Sequence, residues 1–151
     1  MSHKIDRSFK LIFWGAELGE FIVKGEVNSD KYTVLTNATG KSLINLFSRF
    51  EISSGAVGRI NKNGDLAPNH SISRWKIRGK PRQTQLEYRD GALIAFKASP
   101  QLKRKYHIED PVGIRDTIDP VSLALRLIMK HDQDQLCSEK LLILDGFRMS
   151  E

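Results

Sequence analysis

The chain has a single cysteine in 151 residues, Cys137, so it can close no internal disulfide and build no cysteine-ligated metal cage. Its four histidines, His3, His70, His107 and His131, are scattered. No two share the two- or four-residue spacing that sets a pair of imidazoles on one face, so neither a metal nor another cofactor is expected. Long apolar runs are missing too: nothing approaches the ~20 residues that a membrane-crossing helix needs. The polar start, MSHKIDRSFK, lacks the apolar centre of a signal peptide, which keeps the cytoplasm open as an alternative compartment. The Gly-x-Ser-x-Gly elbow of serine hydrolases is absent, and Cys137 has no recognisable histidine signature around it. No repeat or Pro/Ser-rich linker divides the chain.

What is present is an ordinary globular composition, 40% hydrophobic and 28% charged, in a chain of single-domain length. Residues 1–7 are expected to form a flexible tail. A net charge of +6 and a pI near 9.5 make an anionic partner conceivable: nucleic acid, a membrane surface or an acidic protein.

Most of the chain reads with period two. Phe9, Leu11 and Phe13 share one face, Phe21, Val23 and Val27 another, and Tyr32 and Val34 alternate with Lys31 and Thr33. Thr84, Leu86 and Tyr88 repeat the pattern, followed by Ala92, Ile94 and Phe96. Turn signals separate these runs at Asn28-Ser29-Asp30, Asn63-Gly64-Asp65, Gly79-Lys80-Pro81 and Asp90-Gly91. The pattern predicts a mainly β fold: a curved antiparallel meander or half-barrel around one main helix. That helix is DPVSLALRLIMKH, residues 119–131, with Asp119 as cap, Pro120 in the first helical position and Lys130 and His131 at the dipole's negative end. A second, short helix is expected at 41–49. The segment 99–118 reads as loop with one strand. The expected core comprises Phe13, Trp14, Phe21, Val23, Tyr32, Val34, Trp75, Leu86, Tyr88, Ile94, Phe96, Leu123 and Leu127.

TNATGKSL, residues 36–43, imitates a phosphate-binding loop, and LLILDG, 141–146, imitates its Mg²⁺-holding strand. The required glycine is missing, however: Leu35 stands five residues before Gly40. Hairpin signals between 50 and 98 also replace the crossover helix that a nucleotide fold requires. Asp110, Asp116 and Asp119 flank prolines and read as turn and cap residues. The stretch RWKIRGKPR sets Arg74, Lys76, Arg78, Lys80 and Arg82 around Trp75, as a nucleic-acid patch would, with Lys103, Arg104 and Lys105 as a second basic run. On a strand, Arg74, Lys76 and Arg78 share a face opposite Trp75 and Ile77, so a solvated face is the preferred reading.

Taken in order, six segments resemble the bacterial family of unknown function DUF3108. They are FWGAELGEFIVKGEV (13–27), YTVLTNATGKSLINLFSRF (32–50), GRINKNGDLAPNHS (58–71), RGKPRQTQLEYRDG (78–91), DTIDPVSLALRLI (116–128) and ILDGFR (143–148). The resemblance spans residues 9 to 148. It implies a largely β protein of the cell envelope, usually exported to the periplasm, with a half-barrel sheet and inserted helix like those of lipoprotein carriers. It implies no catalytic residue, and it makes Asp145 a turn residue.

The leading expectation is thus a non-enzymatic envelope protein that binds an apolar ligand or a partner protein in the hollow of its sheet. Phe13, Trp14, Phe21, Trp75, Tyr88 and Phe96 are the candidate apolar face. The alternative is a nucleic-acid module using 74–82 and 103–105, and a hydrolase or nucleotidase ranks last. Finally, residues 140–148 read as a strand apolar on both faces. It is expected to pair with a second copy as a dimer, or to be shielded by the 99–118 segment.

Overall fold

The computed structural model describes residues 2–41, 50–101, 112–131, 142–144 and 149–150. Seven strands run in chain order: β1 (His3–Phe13), β2 (Ala16–Val27), β3 (Lys31–Gly40), β4 (Phe50–Ile60), β5 (Leu66–Ile77), β6 (Lys80–Arg89) and β7 (Ala92–Ser99). Each pairs antiparallel with its sequence neighbours in one open sheet of order β1 to β7, not closed into a barrel. Three of its reversals are two-residue turns with both central residues at positive φ: Trp14-Gly15 (48° and 78°), Arg78-Gly79 (51° and 76°) and Asp90-Gly91 (50° and 75°). This is the type I′ geometry, whose twist matches that of the flanking strands. The third expected turn therefore begins at Arg78, and Lys80 and Pro81 already belong to β6. The strand β3 leads antiparallel into β4, with Thr39 opposite Glu51, so the sheet has no parallel nucleotide layout at Gly40.

A second, three-stranded sheet joins β8 (Thr117–Ile118), β9 (Leu142–Leu144) and β10 (Met149–Ser150). The central strand β9 pairs parallel with β8 and antiparallel with β10. The apolar strand near 140–148 thus finds both neighbours in its own chain, one of them from the 99–118 segment, and needs no second copy to complete it. Between β8 and β9 lies the helix α1 (Pro120–His131), at the place and with the cap that the sequence predicts. Asp119 Oδ1 accepts the backbone N–H groups of Val121 and Ser122, each at 3.0 Å. Arg126 pairs with Asp65 at 2.8 Å and ties the helix to the β4–β5 turn.

The helix buries Val121, Leu125 and Ile128 against Val23, Tyr32, Val34, Ala56 and Leu66. Residues 121, 125 and 128 recur at helical spacing, and Leu127 on the opposite side is exposed rather than core. A second cluster joins Leu86, Tyr88 and Leu93 to Leu144, with Phe96 packed against it. Here Leu93 replaces the expected Ile94. The ladder shifts register beside Tyr88, which leaves Ile94 as the extra residue and turns Leu93 inward. Phe13 and Trp14, also expected in the core, stand exposed on the β1–β2 turn, and Ile77 is exposed beside the β5–β6 turn. Residues 3–7, expected as a tail, are strand, with Ile5 buried in the first cluster. The expected helix at 41–49 falls largely on 42–49, outside the described residues.

Gly58 sits where β4 meets Tyr32. A Cβ there would press on the Ala67 carbonyl oxygen and come within 2.6 Å of the Tyr32 ring and hydroxyl. Neither neighbour is the free end of a flexible chain. The Gly58→Ala variant is expected to lose about 1–3 kcal/mol of stability, the cost of overpacking a tight site. A urea midpoint unchanged from the parent protein would refute this.

Candidate functional site

The register places one row of side chains across five strands on the helix-bearing face. Phe9 pairs with Phe21, Phe21 with Ala38, Ala38 with Ile52 and Ile52 with Trp75; the next partner, on β6, is Arg82. Strands stand ~4.8 Å apart, so the five apolar positions span about 19 Å. The helix covers the sheet two rows farther along and beyond: the Leu125 side chain lies over Gly25, and Tyr32 bonds Ser122. The apolar row lies outside this cover. Phe9 and Ile52 are exposed, Phe21 and Trp75 half-buried, and only Ala38 is buried. Between row and helix runs a hydroxyl-bearing row, Thr36, Ser54, Ser73 and Thr84. The molecule thus presents an apolar strip with a guanidinium at one end.

The opposite face of the same strands carries a groove of about 560 Å³. Asn37, Ser53, Arg74, Gln83 and Ser99 form one cross-strand row, and Thr39, Glu51, Lys76 and Pro81 the next. Ile52, Trp75 and Arg82, the intervening residues of β4, β5 and β6, complete the floor. Arg74 Nε donates to Gln83 Oε1 at 3.0 Å, which fixes the guanidinium along the groove. The expectation that Arg74 and Lys76 share a solvated face holds. Arg78 and Lys80 are exposed at the turn beyond the groove, and Lys103, Arg104 and Lys105 lie outside the described residues.

A buried polar cluster lies beneath the helix N-terminus. Tyr32 Oη and Ser122 Oγ bond at 2.7 Å, and Asp119 is wholly buried. Burial pushes the Asp119 carboxyl above its ordinary range, against the lowering effect of its bonds to Ser122 and Val121. Burial likewise raises Tyr32 and Tyr88. Among the described residues, Tyr88 Oη, Thr117 Oγ1 and Asp119 Oδ2 have no hydrogen-bond partner. Thr117, Asp119, Ser122, Tyr32 and Tyr88 are all buried, and through Asp119 the cluster fixes the start of the helix. Among the described residues there is no group of three His, Cys, Asp or Glu side chains placed to hold a metal.

Of the six candidate apolar residues, the structure therefore brings Phe21 and Trp75 onto one row. It sends Tyr88 and Phe96 to the second cluster and leaves Phe13 stacked on Trp14, with ring centres 5.7 Å apart, at the hairpin tip. Phe9, named only for its strand face, and Ile52, not singled out from the sequence at all, join the row. Their signal was the strand alternation, but the row emerges only when the register aligns neighbouring strands. No described helix is long and apolar enough to cross a membrane. Compared with models of protein families, with curated proteins and with solved structures, the chain matches none.

Proposed function

We propose that the protein is a non-catalytic binding protein that holds a single-chain amphiphile with an anionic head along the apolar row. The observation that carries this reading is the row itself: Phe9, Phe21, Ala38, Ile52 and Trp75 in register, with Arg82 at the end. A strip about 19 Å long matches the reach of an extended long acyl chain. The guanidinium supplies the fork that a carboxylate or phosphate head would accept. A cell-envelope setting rests on the resemblance to DUF3108.

Titration with a dansyl-labelled long-chain fatty acid, below its micelle concentration, tests this reading. Fluorescence should rise on binding. The Ile52→Glu variant, which sets a charge at the centre of the row, should bind roughly tenfold or more weakly, because burying an unpaired carboxylate is costly. Arg82→Gln should weaken binding only several-fold, the fatty acid losing a charge-assisted bond but keeping the strip. No fluorescence change, or unaltered affinity in Ile52→Glu, would sink the proposal.

The groove supports a second reading, an anionic polymer lying across Arg74 and Lys76, with Glu51 opposing it. A single-stranded oligonucleotide would then bind with an affinity falling steeply as salt rises, since phosphate contacts release counterions. Salt-insensitive binding would rule it out.

A further inference from the structure

Trp14 occupies a position that its side chain does not favour. It is the first central residue of a type I′ turn, at φ +48°, where Asn, Asp or Gly is usual and a bulky residue is strained. It is also 94% exposed, and Phe13 and Ile12 beside it are 61% and 63% exposed. Its ring stacks on Phe13, itself exposed at the same tip, so this strained turn holds an aromatic that the core does not use. Such an outlier points to use by a partner.

The surroundings specify the partner. The register sets Gly19 level with Gly40, Phe50, Ile77 and Lys80 in turn, so the Trp14-Gly15 and Arg78-Gly79 turns project from one end of the sheet. Trp14 lies some four residues beyond that level, roughly 13 Å farther along the strands. Among the described residues, Glu17 and Glu20 near the tip are paired: Glu17 with Lys10 at 3.5 Å and Lys41 at 3.2 Å, and Glu20 with Lys41 at 3.5 Å. Lys41 and Lys10 hold the Glu17 carboxyl below its ordinary range. The end therefore presents an apolar tip in front and the cations Arg78 and Lys80 behind it.

We propose that this end docks on the surface of an anionic lipid bilayer. Ile12, Phe13 and Trp14 enter the interface, while Arg78 and Lys80 meet the headgroups. Interfacial segments bury their apolar parts ~5–10 Å deep, and a tip standing roughly 13 Å forward brings the second turn to headgroup level. Trp is suited to that boundary, and each cation near the surface adds to the attraction. The inference uses residues outside the apolar row and stands or falls separately from the amphiphile reading.

Flotation with vesicles of equal parts phosphatidylglycerol and phosphatidylcholine tests it, with pure phosphatidylcholine as comparison. The protein should float with the anionic vesicles and not with the neutral ones, and added salt should weaken recovery. The Trp14→Asn variant is the discriminating one. Asn suits a type I′ turn, so this variant should melt at the same temperature as the parent or higher, yet bind the vesicles roughly tenfold or more weakly. It should still bind the monomeric dansyl fatty acid. Absence of flotation, or equal flotation of Trp14→Asn, would overturn the proposal. So would a concentration-dependent dimer, or oligonucleotide binding, that Trp14→Asn abolishes, because the tip would then serve a second copy or a nucleic acid.

Discussion

The Leu125→Ala variant should lose about 2–5 kcal/mol of stability, enough to unfold a marginal domain at moderate temperature. Leu125 is wholly buried at the centre of the contact between α1 and the sheet. Its side chain rests on Gly25, where a Cβ would lie 3.3 Å from the Leu125 Cδ1 atom. The glycine opens the socket that the leucine fills. A backbone strand cannot move inward to close the resulting cavity without breaking its ladders to β1 and β3, so little relaxation is available. Chemical denaturation gives the measurement, and a loss below about 1 kcal/mol would mean that the helix is not seated as described. The Leu127→Ala variant, on the exposed side of the same helix, should stay within ~0.5 kcal/mol.

The second large effect concerns Asp119 and depends on pH. Burial favours its neutral form, so the folded protein holds the proton more tightly than the unfolded chain, whose carboxyl titrates near 3.8. The resulting stabilisation is complete below that pH and fades as pH rises through the higher folded value. In the Asp119→Asn variant the side-chain oxygen can still accept from Val121 and Ser122, but no proton is at stake. Its unfolding free energy should therefore rise relative to the parent's as pH climbs from about 4 towards neutrality, with a slope of at most ~1.4 kcal/mol per pH unit. The exposed Glu17 and Glu20, whose ordinary values are lowered by neighbours, act in the opposite direction in both proteins and cancel in the difference. Asp119→Ala, which removes both cap bonds, should be less stable than Asp119→Asn throughout, by about 0.5–2 kcal/mol. A difference between parent and Asp119→Asn that is flat with pH, or that favours the parent increasingly, would refute the account.

Several features were legible because local and global signals agree. Tyr32, Val34, Thr36 and Ala38 alternate strictly with exposed residues, and β3 is buried on that face as the pattern requires. Asp119-Pro120 starts a helix in sequence and in structure. Other features were hidden for identifiable reasons. A one-residue register shift exchanges Leu93 for Ile94, and no propensity announces it. Trp14 defeats turn recognition because it stands where Asn would be the signal, and so Phe13 and Trp14 were assigned to the core. The strands β8, β9 and β10 hold two or three residues each, too few for periodicity to register. The apolar row is a property of five strands at once. Phe9 and Trp75 become neighbours of one strip only through four successive registers, a relation that no single window of sequence contains.

The order of the seven strands also bears on how the chain folds. Since every strand pairs with its neighbours in sequence, each ladder closes across a short segment and can grow from the turn that starts it. The exception is the docking of α1 on β2 to β5, which joins the C-terminal part of the chain to strands from its first half. Closing so long a loop carries the larger entropy cost and is the step that topology slows. Refolding should therefore be paced by the return of the C-terminal part onto a sheet whose hairpins have already zipped. The Leu125→Ala change, which weakens the docking contact, should then slow folding as well as speed unfolding, and changes in the Asp90-Gly91 turn should act on the folding rate.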